Sequence, residues 1–252
     1  MFQIINDDCF NVMEKLDDNS IDLLYSDPPY AVTQNKWDKP VDWERFWSIA
    51  KRICKKGCPI VLHSQQPFTT DLINSNRKGY KHQWIWNKKL AGNIMGAKYS
   101  PLKIHEEILV FCFDSTNYFP IMEERKTPRT CTKYSNSKNF AIQSEVKNWI
   151  ADSKFPTSIL TFPNTDKTGF HPTQKPVDLC AYLIKTYSKE NDLVLDPFMG
   201  SCSSGVACLQ LERDYIGVEQ EEEMFEKVQA RLKGFNGNDI KKGLDKKQKM
   251  LF

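Results

Sequence analysis

The stretch Ile21-Asp22-Leu23-Leu24-Tyr25-Ser26-Asp27-Pro28-Pro29-Tyr30 joins a short apolar run to a turn rich in hydrogen-bond acceptors. The run from Ile21 to Tyr25 predicts a buried strand. Two consecutive prolines remove two N–H donors, so the Asp27 carboxylate and the proline carbonyls are left to accept hydrogen bonds. An amino group on an aromatic ring needs such acceptors, and Tyr30 adds a flat face for stacking. A plain Asp-Pro turn with a core tyrosine is the alternative interpretation.

Apolar runs alternate with helix-period segments on both sides of this stretch, which predicts an α/β sheet protein. Further strands are predicted at Pro59 to Leu62, Trp84 to Trp86, Ile108 to Phe113, Leu193 to Leu195 and Tyr215 to Val218, and helices near Asp42, Pro176 and Met224. Because α/β proteins bind ligands beyond the carboxyl ends of their strands, Asp27 is expected at a ligand-binding edge.

The composition is that of an ordinary globular protein, with 252 residues, 40% hydrophobic residues and a formal net charge of +3. No apolar run is long enough to span a bilayer and the N-terminus does not resemble a signal peptide, so we expect a cytoplasmic protein without a membrane partner. The eight cysteines are expected to be reduced thiols. Cys54 and Cys58 lack a second Cys/His pair, so no metal site is predicted.

The second informative stretch is Leu195-Asp196-Pro197-Phe198-Met199-Gly200-Ser201, which follows a predicted strand and opens a predicted helix. Such a turn allows an extended ligand to pass close to the backbone and the helix N-terminus. Glu219 ends the next strand, where a carboxylate can accept hydrogen bonds from both ribose hydroxyls of a nucleoside. A phosphate-binding P-loop is excluded because Val206 occupies the position of its lysine. A tight turn without a ligand is the alternative.

In this order, the two motifs resemble those of the circularly permuted β group of amino-DNA methyltransferases, the N6-adenine/N4-cytosine DNA methylase family. His171 to Pro176 and His105 to Phe111 are similar to two further segments of that family. The resemblance implies a Rossmann-like, S-adenosylmethionine-dependent methyltransferase fold, with a mostly parallel seven-stranded sheet flanked by helices. The sequence departs from the family pattern after Ser201, where Cys202-Ser203-Ser204 replaces a glycine and two threonines.

The resemblance also implies individual roles, with the target amino group and base held by the catalytic residues Asp27, Pro28, Pro29 and Tyr30. The implied cofactor-binding residues are Asp8, Cys9, Asp27, Thr173, Lys175, Asp196, Pro197, Phe198, Gly200, Ser201 and Glu219. Residues 1–114 would form the catalytic half of the domain and 166–236 the cofactor-binding half, with an inserted target-recognition region at 115–165. The lysine-rich end, 237–252, is expected to be a tail.

Double-stranded DNA is the partner that this resemblance implies, with a homodimer and a cognate restriction endonuclease as further candidates. The expected DNA-binding residues are Lys36, Trp37, Lys88, Lys89, Lys126, Arg129, Lys133 and Lys138. Lys98 and Lys103 belong to the same basic, glycine-containing stretch as Lys88 and Lys89. A solvated lysine-rich surface is the alternative for any one of these residues.

The reaction that the resemblance implies is methyl transfer to N6 of adenine in duplex DNA, after the base has been flipped out. Methylation of a cytosine carbon is rejected because its nucleophilic Pro-Cys pair is absent, and Cys58-Pro59 has the reverse order. The aspartate at position 27 resembles adenine enzymes more than N4-cytosine enzymes. Cytosine N4, RNA or a protein glutamine remain alternative targets, and a catalytically inactive DNA-binding module is the alternative from another class.

Overall fold

The computed structural model describes residues 1–32, 38–92, 94–132, 148–164 and 174–233. The strands are β1 (Phe2–Asn6), β2 (Leu23–Ser26), β3 (Ile60–Ser64), β4 (Tyr80–Gly92), β5 (Lys103–Phe111), β6 (Glu123–Thr132), β7 (Asn148–Lys154), β8 (Ile159–Thr161), β9 (Leu193–Asp196) and β10 (Asp214–Glu219). The helices are α1 (Cys9–Lys15), α2 (Trp43–Ile53), α3 (Phe68–Ser75), α4 (Val177–Tyr187), α5 (Ser203–Gln210) and α6 (Glu222–Lys233).

One large sheet has the strand order β1-β10-β9-β2-β3-β5-β4-β8. Neighbours from β1 to β3 run parallel, and β5 is antiparallel to both β3 and β4. This arrangement confirms the predicted α/β fold with a mostly parallel sheet. The sheet has eight strands rather than seven because the short β8 pairs with the outer side of β4. Circular permutation stays a prediction, although β2 and β9 are neighbours in the sheet despite their distance along the chain.

The core lies on both faces of this sheet because its central strands are buried on both sides. In β2, Leu23 packs into one cluster with α4, and Leu24 into another with α2. Strands covered on both faces are continuously apolar rather than alternating, which is how β2 was predicted from sequence. The helix expected near Asp42 is confirmed as α2, since the Asp42 carboxylate accepts a hydrogen bond from Arg45 N at 3.0 Å and caps the helix.

The predicted recognition region contains regular structure that the sequence pattern did not indicate. β6 and β7 pair antiparallel as a separate two-stranded sheet, and β8 joins the main sheet. Most of the described β6 side chains are exposed, so no buried face imposed an apolar alternation on its sequence. β1, α1 and α3 were also not predicted. The division at residues 114, 165 and 236 stays a prediction, and the tail 237–252 lies outside the described residues.

Within the described ranges, we find no helix with the length and apolarity required to cross a membrane.

A glycine in β10 provides a test of the packing against the turn that follows β9. A Cβ on Gly217 would lie 2.6 Å from Met199 Sδ and 2.7 Å from Tyr215 Oη. Gly217→Ala is therefore expected to lower the free energy of unfolding by about 1–3 kcal/mol, the usual cost of overpacking. Urea unfolding measures this change. Gly92→Ala is the control, because its Cβ would meet only Lys103 O, at 3.7 Å. Equal unfolding midpoints for the two variants would show that this packing is wrong.

Candidate active site

The carboxyl ends of seven strands, all those of the described sheet except β5, lie at one edge, and the predicted functional residues gather there. Asp27 follows β2, Asp196 ends β9 and Glu219 ends β10. Because β5 runs in the opposite direction, its first half brings Glu106 to the same edge. This convergence is the position at which α/β sheets bind their ligands.

Asp27 is held on both of its carboxylate oxygens. Tyr30 Oη donates a hydrogen bond to Oδ1 at 2.9 Å, and the Lys175 ammonium lies 2.8 Å from Oδ2. The Tyr30 ring stacks on Phe68, with 4.9 Å between ring centroids. Burial, and then the charge of Asp27, raise the pKa of Tyr30 well above its ordinary value, so its hydroxyl stays a donor at neutral pH. One third of the Asp27 side chain is exposed, which leaves room for a further donor.

Lys175 begins a chain of alternating charges that extends into the sheet. Its ammonium also lies 3.3 Å from Glu106 Oε2, and the Lys88 ammonium lies 2.9 Å from Glu106 Oε1. Side-chain exposure is only 14% for Lys175, 13% for Glu106 and 14% for Lys88. Cations so enclosed require counter-charges within contact distance. Negative and positive charges alternate along Asp27, Lys175, Glu106 and Lys88, so each ammonium contacts at least one carboxylate.

The pKa values of this chain reflect its charges. Burial acts to raise the pKa of Glu106, but the charges of Lys175 and Lys88 outweigh it and lower that pKa to about 2. Burial acts to lower the pKa of Lys175, yet Asp27 and Glu106 raise it above its ordinary value. Both groups are therefore charged at neutral pH. His63 lies beneath them in β3, and burial lowers its pKa to about 4, so it is neutral.

Asp196 connects the two halves of the site. Its carboxylate accepts hydrogen bonds from Ser26 Oγ and Ser204 Oγ, both at 2.5 Å, and from Phe198 N at 3.2 Å. Only 3% of the residue is exposed, and burial raises its pKa to about 6. These bonds join the end of β2 to the turn after β9 and to the first turn of α5. The cofactor contact expected of Asp196 stays a prediction, and its present contacts fix the turn.

Glu219 and Gly200 face each other across the predicted nucleoside site. Glu219 Oε2 accepts a hydrogen bond from Gly200 N at 3.0 Å, and Oε1 accepts one from Glu221 N at 2.7 Å. Gly200 has φ +51°, a conformation that favours glycine, and a Cβ there would have open space around it. A carboxylate with spare lone pairs beside an uncrowded turn fits a nucleoside with an extended substituent.

The segment after β1 borders the same site. β1 and β10 pair with Asn6 opposite Glu219, so Asp8 and Cys9 follow close to that carboxylate. Asp8 caps α1, because its Oδ1 accepts hydrogen bonds from Phe10 N at 2.9 Å and Asn11 N at 3.4 Å. Cys9 packs with Val218 and Phe198. Burial raises the pKa of Cys9 to about 12, so it is an apolar wall rather than a reactive thiol.

The expected DNA-binding residues lie in different environments. Lys88 belongs to the buried charge chain, so a DNA contact, which stays a prediction, would require its bond to Glu106 to open. Lys89 has φ +62° and, like Lys126 and Arg129 of β6, is exposed. Five of the predicted site residues lie outside the described residues, namely Lys36, Trp37, Lys133, Lys138 and Thr173.

Sequence reasoning missed the supporting residues. Glu106 was part of a recognised segment but received no role, and Ser26 and Ser204 received none. Only the folded sheet gives these residues their partners. Glu106 of β5 meets Lys88 of β4 and Lys175 before α4. Ser26 of β2 and Ser204 of α5 meet Asp196 of β9. The usable signal in the sequence was a carboxylate shortly before the apolar run from Ile108 to Phe111, since an acid beside a buried run requires a partner.

Comparison with known proteins identifies relatives of this chain. The DNA methylase family model matches residues 21–230. The DNA adenine methyltransferase YhdJ of Escherichia coli K12 is 30% identical over 250 residues, covering 91% of this chain and 82% of that protein. Two solved structures share the fold. The M1.HpyAVI-SAM complex has a TM-score of 0.64 at 22% identity, covering 92% of this chain and all of the other. The cytosine-N4-specific PvuII DNA methyltransferase has a TM-score of 0.69 at 15% identity, covering 95% and 90%.

The charge chain predicts a particular dependence of stability on pH. Glu106→Gln is expected to lower the free energy of unfolding at pH 7 by about 2 kcal/mol, because Lys175 and Lys88 lose their shared counter-charge. A native pKa of about 2, below the ordinary 4.5, gives stability that is complete above pH 4.5 and lost as the pH falls toward 2. The difference between wild type and variant should shrink over that range in urea titrations.

Glu123→Gln is the matched control, because Glu123 pairs with Lys154 at 2.7 Å but is 46% exposed. Its effect should stay below about 0.5 kcal/mol. A Glu106→Gln difference that is unchanged from pH 7 to pH 3 would contradict this assignment of the ion pairs.

Proposed function

This chain belongs to the DNA methylase family, and we propose that it transfers a methyl group from S-adenosylmethionine to the N6 amino group of adenine in duplex DNA. The observation that carries the proposal is the Asp27 carboxylate, fixed between Tyr30 and Lys175 at the carboxyl edge of the sheet. The resemblance of an aspartate-first motif to adenine enzymes favours adenine. So does the adenine specificity in the name of the E. coli relative.

Asp27 and the Pro28 carbonyl act as acceptors for the two hydrogens of the target amino group. When bound, S-adenosylmethionine supplies a methyl group already activated by its positive sulfur, so direct in-line attack by the amine is sufficient. Accepting both hydrogens makes the lone pair of the amine nitrogen more available. As the bond between the amine nitrogen and the methyl carbon forms, the bond from that carbon to sulfur would break and leave a neutral thioether. Positive charge then develops on nitrogen, and the Asp27 carboxylate stabilises it. The surplus proton leaves the amine for Asp27, whose exposed part passes it to water.

The charge chain supports this acceptor without adding net charge. Lys175 holds Asp27 in place, but an uncompensated ammonium would repel both a sulfonium and a developing ammonium. Glu106 supplies the compensation from the other side of Lys175, at 3.3 Å. The four groups from Asp27 to Lys88 sum to zero charge. Lys175 is therefore a positioning residue in this proposal, next to the methionine part of the cofactor.

The turn after β9 would hold the cofactor. Glu219 would accept hydrogen bonds from the ribose hydroxyls, and the open space at Gly200 would admit the methionine part. Cys9 and Phe198, which pack together, would border the adenine with Asp8 beside them. Asp196, Pro197 and Ser201 shape the turn, and Thr173 is expected to close over it.

The target base reaches Asp27 only after leaving the duplex stack, which costs a few kcal/mol. Phe68 covers one face of Tyr30, so the opposite face is the one that stacks on the flipped base. The region 115–165 provides target recognition, with Lys126 and Arg129 among its DNA contacts. A homodimer and a partner endonuclease stay predictions.

Methylation of cytosine at N4 is the second candidate. The PvuII enzyme is described as cytosine-N4-specific, and its fold matches this one with a TM-score of 0.69. An exocyclic amine of either base presents two hydrogens to the same acceptors. The assay must therefore identify the methylated base.

Purified protein incubated with duplex DNA and S-adenosylmethionine carrying a tritiated methyl group should label N6-methyladenine, identified by chromatography after nucleoside digestion. Asp27→Ala is expected to lower kcat by at least about 100-fold, because an electrostatic partner of the transition state is lost. Its cofactor affinity, measured by calorimetry, should stay within about threefold. Asp71→Ala, which removes an exposed carboxylate on α3, is the control. Label in N4-methylcytosine would overturn the base assignment, and absence of label on any DNA would overturn the proposed activity.

A further inference from the structure

A second feature of the carboxyl edge has no role in the site described above. β4 and β5 continue past the edge into a projection that we call the β4–β5 tip, residues 89–92 and 94–104. Three of its large apolar residues are largely exposed to solvent, with Ile94 75%, Met95 97% and Tyr99 90% exposed. Leu90, Leu102 and Ile104 are exposed as well. A cluster of exposed apolar groups of this kind marks a surface that is covered by a partner.

The position of the tip relates this surface to the acceptor. Lys88 and Glu106 form an ion pair at its base, and Glu106 continues through Lys175 to Asp27. The ladder has a register shift between the pairs Asn87–His105 and Gly92–Lys103. A chain of three ion pairs thus connects the base of the tip to the carboxylate that is proposed to receive the target amino group.

The charge of the tip identifies the kind of partner. Residues 89–104 include three lysines, at positions 89, 98 and 103, and no aspartate or glutamate. Lys89 and Lys98 are exposed. A second copy of this chain, packed on the tip about a two-fold axis, would bring equivalent lysines together. Duplex DNA offers the complementary phosphates, and its stacked bases accept apolar side chains.

We propose that the β4–β5 tip inserts Ile94, Met95 and Tyr99 into the duplex beside the flipped base, while Lys89 and Lys98 contact the flanking phosphates. The insertion fills the space that the base leaves in the stack and offsets part of the cost of unpairing it. This inference rests on the proposed function and adds to it the residues that open the duplex. It gives the apolar and the basic side chains separate tasks, which can be measured separately.

The test compares two duplexes that contain the same site, one that wild type methylates. One duplex is fully paired, and the other carries an abasic position opposite the target base, which leaves that base unpaired. Ile94→Ala/Met95→Ala is expected to lower kcat/KM by about tenfold or more on the paired duplex and by less than about threefold on the abasic one. Lys98→Ala should weaken binding to both duplexes equally, and the affinity of this variant should depend less on salt concentration.

A second readout reports the opening itself. With 2-aminopurine at the target position, the fluorescence of that base should increase when wild type binds. At saturating protein, the increase with the double variant should be much smaller. Equal losses of kcat/KM on both duplexes, or no loss, would overturn the insertion. A double variant that is monomeric where the wild type is dimeric, as measured by light scattering, would also overturn the insertion, because the patch would then be a self-association surface. Failure to find any duplex that wild type methylates would instead contradict the proposed function.

Discussion

The contact on which the site depends is the enclosed ammonium of Lys175 between two carboxylates. It lies 2.8 Å from Asp27 Oδ2 and 3.3 Å from Glu106 Oε2. An ammonium that is only 14% exposed is stable when its charge is balanced in place. This requirement ties together three elements, namely the turn after β2, the first half of β5 and the segment before α4. The same requirement leaves Asp27 with a fixed orientation, which a weak aromatic amine nucleophile needs.

A second buried carboxylate fixes the turn after β9, where the cofactor is proposed to bind. Asp196 accepts hydrogen bonds from Ser26 and Ser204, so the end of β2 and the turn after β9 share one hydrogen-bonded centre. Since β2 and β9 are adjacent parallel strands, the proposed amine acceptor and the proposed nucleoside site lie on neighbouring turns. A methyl donor and its acceptor must come into contact, and this adjacency is what the proposed reaction requires.

Much of the fold was predictable because the buried parallel strands are continuously apolar and end in recognisable turns. β2, β9 and α2 were predicted from those patterns, and family membership from the order of two short motifs. β6 and β7 were not, because exposed strands carry no apolar alternation. The partners of Lys175 were also unpredictable, since a lysine next to the cofactor motif gives no sign that Glu106 lies beside it. Such pairs depend on strand order, which a single sequence does not determine.

A double-mutant cycle on kcat/KM tests the central claim that Lys175 acts through Asp27. The cycle compares Asp27→Asn, Lys175→Met and the double variant on one duplex that the wild type methylates, with cofactor at saturation. If Lys175 only positions Asp27, the double variant should be no slower than the slower single variant, because removing Asp27 leaves Lys175 nothing to position. Losses that add, so that the free-energy cost of the double variant equals the sum of the single costs, would contradict the account.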